Sequence, residues 1–136
     1  MGKILRDLWI LDNTGVSLYS RVYNPKVNEQ LFGALMSAIN QFAEKLAEGG
    51  ISSFELSDKK FTIEKKQNLL FIANASSNEK DKKIKRELTN ISEKFLEVYS
   101  DKIKSFDGDV SIFSDFEHHI QNSLEDTVKK FQNAFW

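Results

Sequence analysis

The chain has 136 residues, 40% of them hydrophobic and 29% charged, with eleven Phe, one Pro, six Gly, no Cys and a net charge of −1. One domain over residues 1–136 is expected, because domains most often hold roughly 100–150 residues and a chain of this size closes a core without disulfides or a structural metal. The lack of Cys excludes a disulfide framework, a zinc ribbon, an Fe–S cluster and thiol catalysis, and the near-neutral charge argues against a general nucleic-acid binder.

The apolar runs Leu8-Trp9-Ile10-Leu11 and Leu69-Leu70-Phe71-Ile72-Ala73 fall far short of the ~20 residues that span a bilayer. No basic start leads into an apolar stretch as in an export signal, so the expected location is the cytoplasm.

Residues 4–11 are apolar on both alternation phases, Ile4, Leu8 and Ile10 against Leu5, Trp9 and Leu11, which predicts a strand covered on both faces. Asp12-Asn13-Thr14-Gly15 signals a turn, and residues 16–23 complete a hairpin. Pro25 ends that strand, and Asn28 is the expected cap of a first helix, with Val27 and Phe32 at the spacing of a hydrophobic staple. Leu31, Phe32, Leu35, Met36, Ile39, Phe42, Ala43 and Leu46 then recur at helical spacing, a stripe read as core, until Gly49-Gly50 stops the helix.

Three short strands are predicted over 51–56, 61–65 and 69–74, joined by 57–60 and 66–68 as an antiparallel meander. The last of them is again apolar on both phases. A second long helix starts near Lys80 and carries Ile84, Leu88, Ile91, Phe95, Val98, Tyr99 and Ile103 before Asp107-Gly108 breaks it. A final helix starts near Ser111 or Ser114 with Phe113, Phe116, Ile120, Leu124, Val128, Phe131 and Phe135 in register. The order ββαβββαα, with two strands buried on both faces, needs helices on both sides: a mixed α/β (α+β) sandwich, one helix on one face of a five-stranded antiparallel sheet and two on the other.

Catalytic chemistry has little to rest on. His118 and His119 are adjacent and diverge by about 100° on a helix, so they cannot chelate one metal as an i,i+4 pair does. Asp115 and Glu117 diverge too, and acids here suit a helix start, with Ser114-x-x-Glu117 matching a capping box. No phosphate-cradling glycine loop or nucleophile elbow is present, so neither an enzyme nor a cofactor is expected. The Phe and Leu stripes leave one alternative, a small-molecule sensor of PAS-like or profilin-like type with a buried pocket.

The element order resembles the longin domain, a sheet-and-helix module of membrane-traffic proteins and of partners of small GTPases. The resemblance covers nearly the whole chain and rests on Leu8-Trp9-Ile10-Leu11-Asp12-Asn13-Thr14-Gly15-Val16, on the long helix ending in Gly49-Gly50-Ile51, and on Gly108-Asp109-Val110-Ser111-Ile112-Phe113 leading into the Phe116 helix. It implies strand order 2-1-5-4-3, which sets the two doubly apolar strands side by side at the sheet centre. The related roadblock fold opens with a helix, whereas this chain opens with a strand. The SNARE coiled coil and membrane anchor of longer family members are not expected. What the resemblance implies is a non-enzymatic interaction module, a scaffold or regulator for a small GTPase or a trafficking-like complex, working as a homodimer or with a longin or roadblock partner.

Two surfaces are candidates for that work. Tyr19, Arg21 and Tyr23 share one phase of an expected edge strand and are of types enriched at interfaces, while Gly33, Ala34, Ser37 and Ala38 on the first helix permit close approach of another backbone. These residues form the expected dimer or GTPase surface. The second candidate is electrostatic: Lys80, Lys82, Lys83, Lys85 and Arg86 face a single acid, Asp81, within seven residues, whereas residues 105–128 hold six acids and no Lys or Arg. The meander brings Lys59 and Lys60 to the same end of the sheet, with Lys3 and Lys26 joining them if the family's strand order holds. Such a rim opposes the helix dipole by a few tenths of a kcal/mol per charge, roughly, and so suits an anionic partner, an acidic protein face or an anionic membrane.

Overall fold

The computed structural model describes residues 4–22, 29–46, 52–56 and 58–120. These form β1 (Asp7–Asp12), β2 (Ser17–Arg21), α1 (Glu29–Leu46), β3 (Ser53–Leu56), β4 (Lys59–Lys66), β5 (Leu69–Ser76), α2 (Asp81–Lys104), a 3₁₀ segment (Val110–Phe116) and α3 (Glu117–Ile120). The sheet is antiparallel throughout, in the order β2-β1-β5-β4-β3. The doubly apolar strands β1 and β5 are therefore neighbours at its centre, as expected. Tyr23, the Asn28 cap, Gly49-Gly50 and the final helix beyond Ile120 lie outside the described residues.

The turns explain the register. In the β1–β2 hairpin the Asp12 carboxylate accepts from the Thr14 and Val16 amides at 2.8 and 3.0 Å, and Gly15 supplies a φ of +95° that L side chains rarely adopt. Gln67 and Asn68, at φ 50° and 65°, make the two-residue β4–β5 turn whose twist suits an antiparallel hairpin.

One sheet face packs on α2, the 3₁₀ segment and α3. Leu8, Ile10, Phe71 and Ala73 meet Ile84, Leu88, Ile91, Phe95, Tyr99, Phe113 and Phe116 there, all within 1% of full burial. Phe95 stands at the centre, with the rings of Phe71, Tyr99, Phe113 and Phe116 centred 5.0–5.9 Å away. The other face packs on α1 through Trp9, Leu11, Ile72, Leu70, Phe61, Ile63 and Met36.

Two expected boundaries move. β4 starts at Lys59, so Lys59 and Lys60 are strand residues paired with Ser76 and Ala75 and not part of the turn. The final helix opens as a 3₁₀ segment capped by Asp109, whose carboxylate accepts from the Ser111 amide, in place of the expected Ser114 cap. The apolar spacing is the physical reason: Val110, Phe113 and Phe116 recur every three residues, the period of a 3₁₀ helix, so all three reach the aromatic cluster.

Candidate interaction surfaces

Residues on β2 are turned inward. Tyr19 pairs with Ile10, which places its ring on the α2 side of the sheet, edge-on to Phe116 with centroids 5.4 Å apart. Burial and the nearby Glu117 carboxylate push its hydroxyl up to about 12. Arg21 follows on the same face, its Nε 3.8 Å from Glu117 Oε1 and its Nη1 buried without a hydrogen-bond partner. Tyr19 and Arg21 are thus half-buried on the edge strand, in contact with the 3₁₀ segment and α3 of the same chain; Tyr23 lies outside the described residues.

The small residues of α1 divide. Gly33 sits against the β1–β2 turn so closely that a Cβ there would lie 2.1 Å from the Gly15 carbonyl oxygen. Ser37 is buried beside it and donates from Oγ to the Asn13 carbonyl at 3.3 Å. Both serve packing within the chain. Ala34 and Ala38 instead face outward.

These contacts, with the Ser17 amide donating to Gln30 Oε1 at 3.3 Å, fix how α1 is rotated about its axis. The rotation is offset from the helix's own apolar arc. Polar Ser37 and Asn40 are buried at 5% and 9% exposure, while Leu31, Leu35, Phe42 and Leu46 stand 65%, 56%, 65% and 73% exposed. The expectation that all eight apolar residues of this helix face the core is corrected: Phe32, Met36 and Ile39 pack inward and these four do not. At 100° per residue Leu31, Leu35, Ala38, Phe42 and Leu46 fall within an arc of roughly 80°, a seam about 22 Å long. The signal in the sequence was the width of the apolar arc, about 160° once Phe32, Met36, Ile39 and Ala43 are included, which is more than one contact line requires.

The expected basic rim gathers only in part at one end of the sheet. β4 begins and β5 ends there, and α2 starts there, so Lys80, Lys82, Lys83, Lys85 and Arg86 gather with all five side chains exposed. Lys60 does not join them: its Nζ lies 2.8 Å from Asp81 Oδ1 and donates to the Glu79 carbonyl. Lys59 shares its strand phase with Phe61 and so belongs to the opposite sheet face. Lys3 and Lys26 lie outside the described residues.

Asp115 and Glu117 are engaged separately. Asp115 accepts a short hydrogen bond from the Tyr99 hydroxyl, which holds its carboxyl below the usual range, and Glu117 faces Arg21. His118 and His119 are exposed, and His119 lies over Phe116. Among the described residues no group of three His, Asp or Glu could hold a metal ion, and no helix is long and apolar enough to cross a membrane. A cleft of about 430 Å³ opens between α1 and the β4–β5 turn, lined mainly by polar residues such as Asn13, Asn40, Gln41, Glu44 and Lys65.

Comparisons place this geometry. The solved structure of MglB from Myxococcus xanthus superposes with a TM-score of 0.59 at 9% identity, over 71% of this chain and 85% of that one. A Roadblock/LC7 domain from Streptomyces avermitilis matches with a TM-score of 0.50 at 10% identity, over 68% and 86%. At such identities the likeness is one of fold. Among curated proteins no sequence matches. The family model for the first longin domain of FUZ, MON1 and HPS1 matches residues 6–128, and the chain belongs to that family.

Proposed function

We propose that this longin domain works as a homodimer joined along the outer face of α1, and that the pair is a non-enzymatic scaffold or regulator for a small GTPase or a trafficking-like complex. The observation that carries the pairing is the rotation of α1, which buries Ser37 and Asn40 and leaves Leu35, Phe42 and Leu46 in water. Contiguous exposed apolar patches mark interaction sites.

The seam is complementary to itself. In an antiparallel pair about a two-fold axis beside Ala38, Leu35 of each copy lies opposite Phe42 of the other and Leu31 opposite Leu46, while the small side chain at the axis lets the helices approach. The seam carries no charge, so nothing in it repels a second copy. The GTPase part of the reading is supported by family membership alone.

Light scattering across concentration tests the pairing. A mass near twice the 15.7 kDa chain is expected, falling to the monomer for Leu35→Asp with Phe42→Asp. A native chain that stays monomeric at all concentrations would sink it. Retention of small GTPases on the immobilised dimer, and its loss or survival in the monomeric variant, then tests the partner.

A further inference from the structure

The first turns of α2 carry a surface that pairing through α1 does not use. Lys82, Lys83, Lys85 and Arg86 project opposite the buried stripe of Ile84, Leu88 and Ile91, and Lys80 precedes them. None of the five makes an ion pair among the described residues. The one acid in the stretch is spent elsewhere, since Asp81 is held by Lys60 at 2.8 Å. Beyond Arg86 the helix mixes its charges, with exposed acids at Glu93, Glu97 and Asp101 and exposed lysines at Lys102 and Lys104, so the cations are densest at its start. Cations at a helix start act against its dipole. Folding alone does not favour them here.

We propose that this basic face docks the domain on an anionic membrane surface. The composition of the patch favours lipid over a protein partner. Its apolar residues, Ile84 and Leu88, are both fully buried, so it lacks the aromatic or aliphatic anchors on which protein interfaces concentrate their binding energy. Nor does it carry aromatic side chains on which the bases of a nucleic acid would stack. Four of the five cations are Lys, compact charges on flexible stems that suit a diffuse field better than a fixed two-pronged contact. A cytoplasmic leaflet rich in phosphatidylserine is such a field. Each basic residue near it is worth about 1 kcal/mol, or about fivefold in binding.

Location allows both surfaces to act together. α1 runs along the end of the sheet that holds the β1–β2 and β4–β5 turns, touching Gly15 at one place and Lys65, through Glu44, at another. The start of α2 lies at the other end, where β5 finishes. Two copies joined through α1 therefore keep both basic faces open.

The test is sedimentation of the full chain with vesicles of phosphatidylcholine alone and of phosphatidylcholine mixed with phosphatidylserine. Binding is expected only to the mixed vesicles, and it should weaken as salt shortens the Debye length. Reversal at Lys82→Glu, Lys83→Glu, Lys85→Glu and Arg86→Glu should lower binding more than a hundredfold. Replacement of the three lysines by Arg should leave it within a few-fold. Thermal melting guards against loss of the fold, because acids at a helix start should hold or raise the melting temperature. Three results would overturn the proposal: no binding of the native chain to phosphatidylserine, undiminished binding after reversal, or capture by a polyglutamate matrix without capture by vesicles.

Discussion

The two helical layers of this domain are built to different standards of closure. On the α2 side the sheet meets a helix whose buried residues Ile84, Leu88, Ile91, Phe95 and Tyr99 form one stripe, and the 3₁₀ segment adds Phe113 and Phe116 until the aromatic cluster is sealed. On the α1 side the helix is anchored by close backbone approach and by polar contacts, and much of its apolar surface is left outside. The α2 layer is closed, and the α1 layer leaves Leu31, Leu35, Phe42 and Leu46 exposed.

Truncating the sealed layer should have the largest effect. Phe95→Ala removes the ring that touches Phe71, Tyr99, Phe113 and Phe116, and should cost about 3–5 kcal/mol in denaturant unfolding. Next comes the anchor of the open layer. Gly33→Ala puts a methyl 2.1 Å from the Gly15 carbonyl oxygen, neither of them a movable side-chain end, so α1 must shift and about 1–3 kcal/mol should be lost. Truncation of the exposed seam should be mildest for the monomer. Phe42→Ser should change monomer stability by no more than about 0.5 kcal/mol, yet it should remove any rise of melting temperature with protein concentration, which only a native dimer shows. A large loss from Phe42→Ser in dilute solution would mean that the two layers do not differ as described.

The order of elements and the central pair β1 and β5 could be read from alternation, because residues apolar on both phases have nowhere to go except between two layers. The rotation of α1 could not. Periodicity locates an apolar arc but not which part of it faces the sheet, and that was decided by Gly33 against Gly15 and by Ser37 reaching Asn13, contacts between residues distant in sequence. The same limit applied to β2, where alternation alone did not show that Tyr19 and Arg21 meet Phe116 and Glu117 from about a hundred residues later. Charge was easier to place than to interpret: the cluster from Lys80 to Arg86 is exposed as its density suggested, but Lys60 turned out to be committed to Asp81.

Titration offers a finer probe of the sealed layer. Asp115 is held below its ordinary 3.8 chiefly by the hydroxyl of Tyr99, so the folded state binds its proton less readily than the unfolded chain. Its contribution is present above the unfolded value and is lost as pH falls through the lowered folded one. Tyr19 and Tyr99 titrate in the opposite sense. Burial raises both hydroxyls, Tyr19 to about 12, so the stability they protect is complete below about pH 10 and is lost as pH rises through their folded values. Melting curves taken from acid to alkali should therefore show an alkaline decline in the native protein that is shallower in Tyr99→Phe. The difference between the two proteins near neutrality should shrink in acid as Asp115 gains its proton. A variant with an unchanged alkaline limb would show that Tyr99 ionises as readily in the fold as in the unfolded chain, and the contrast between the two layers would then rest on packing alone.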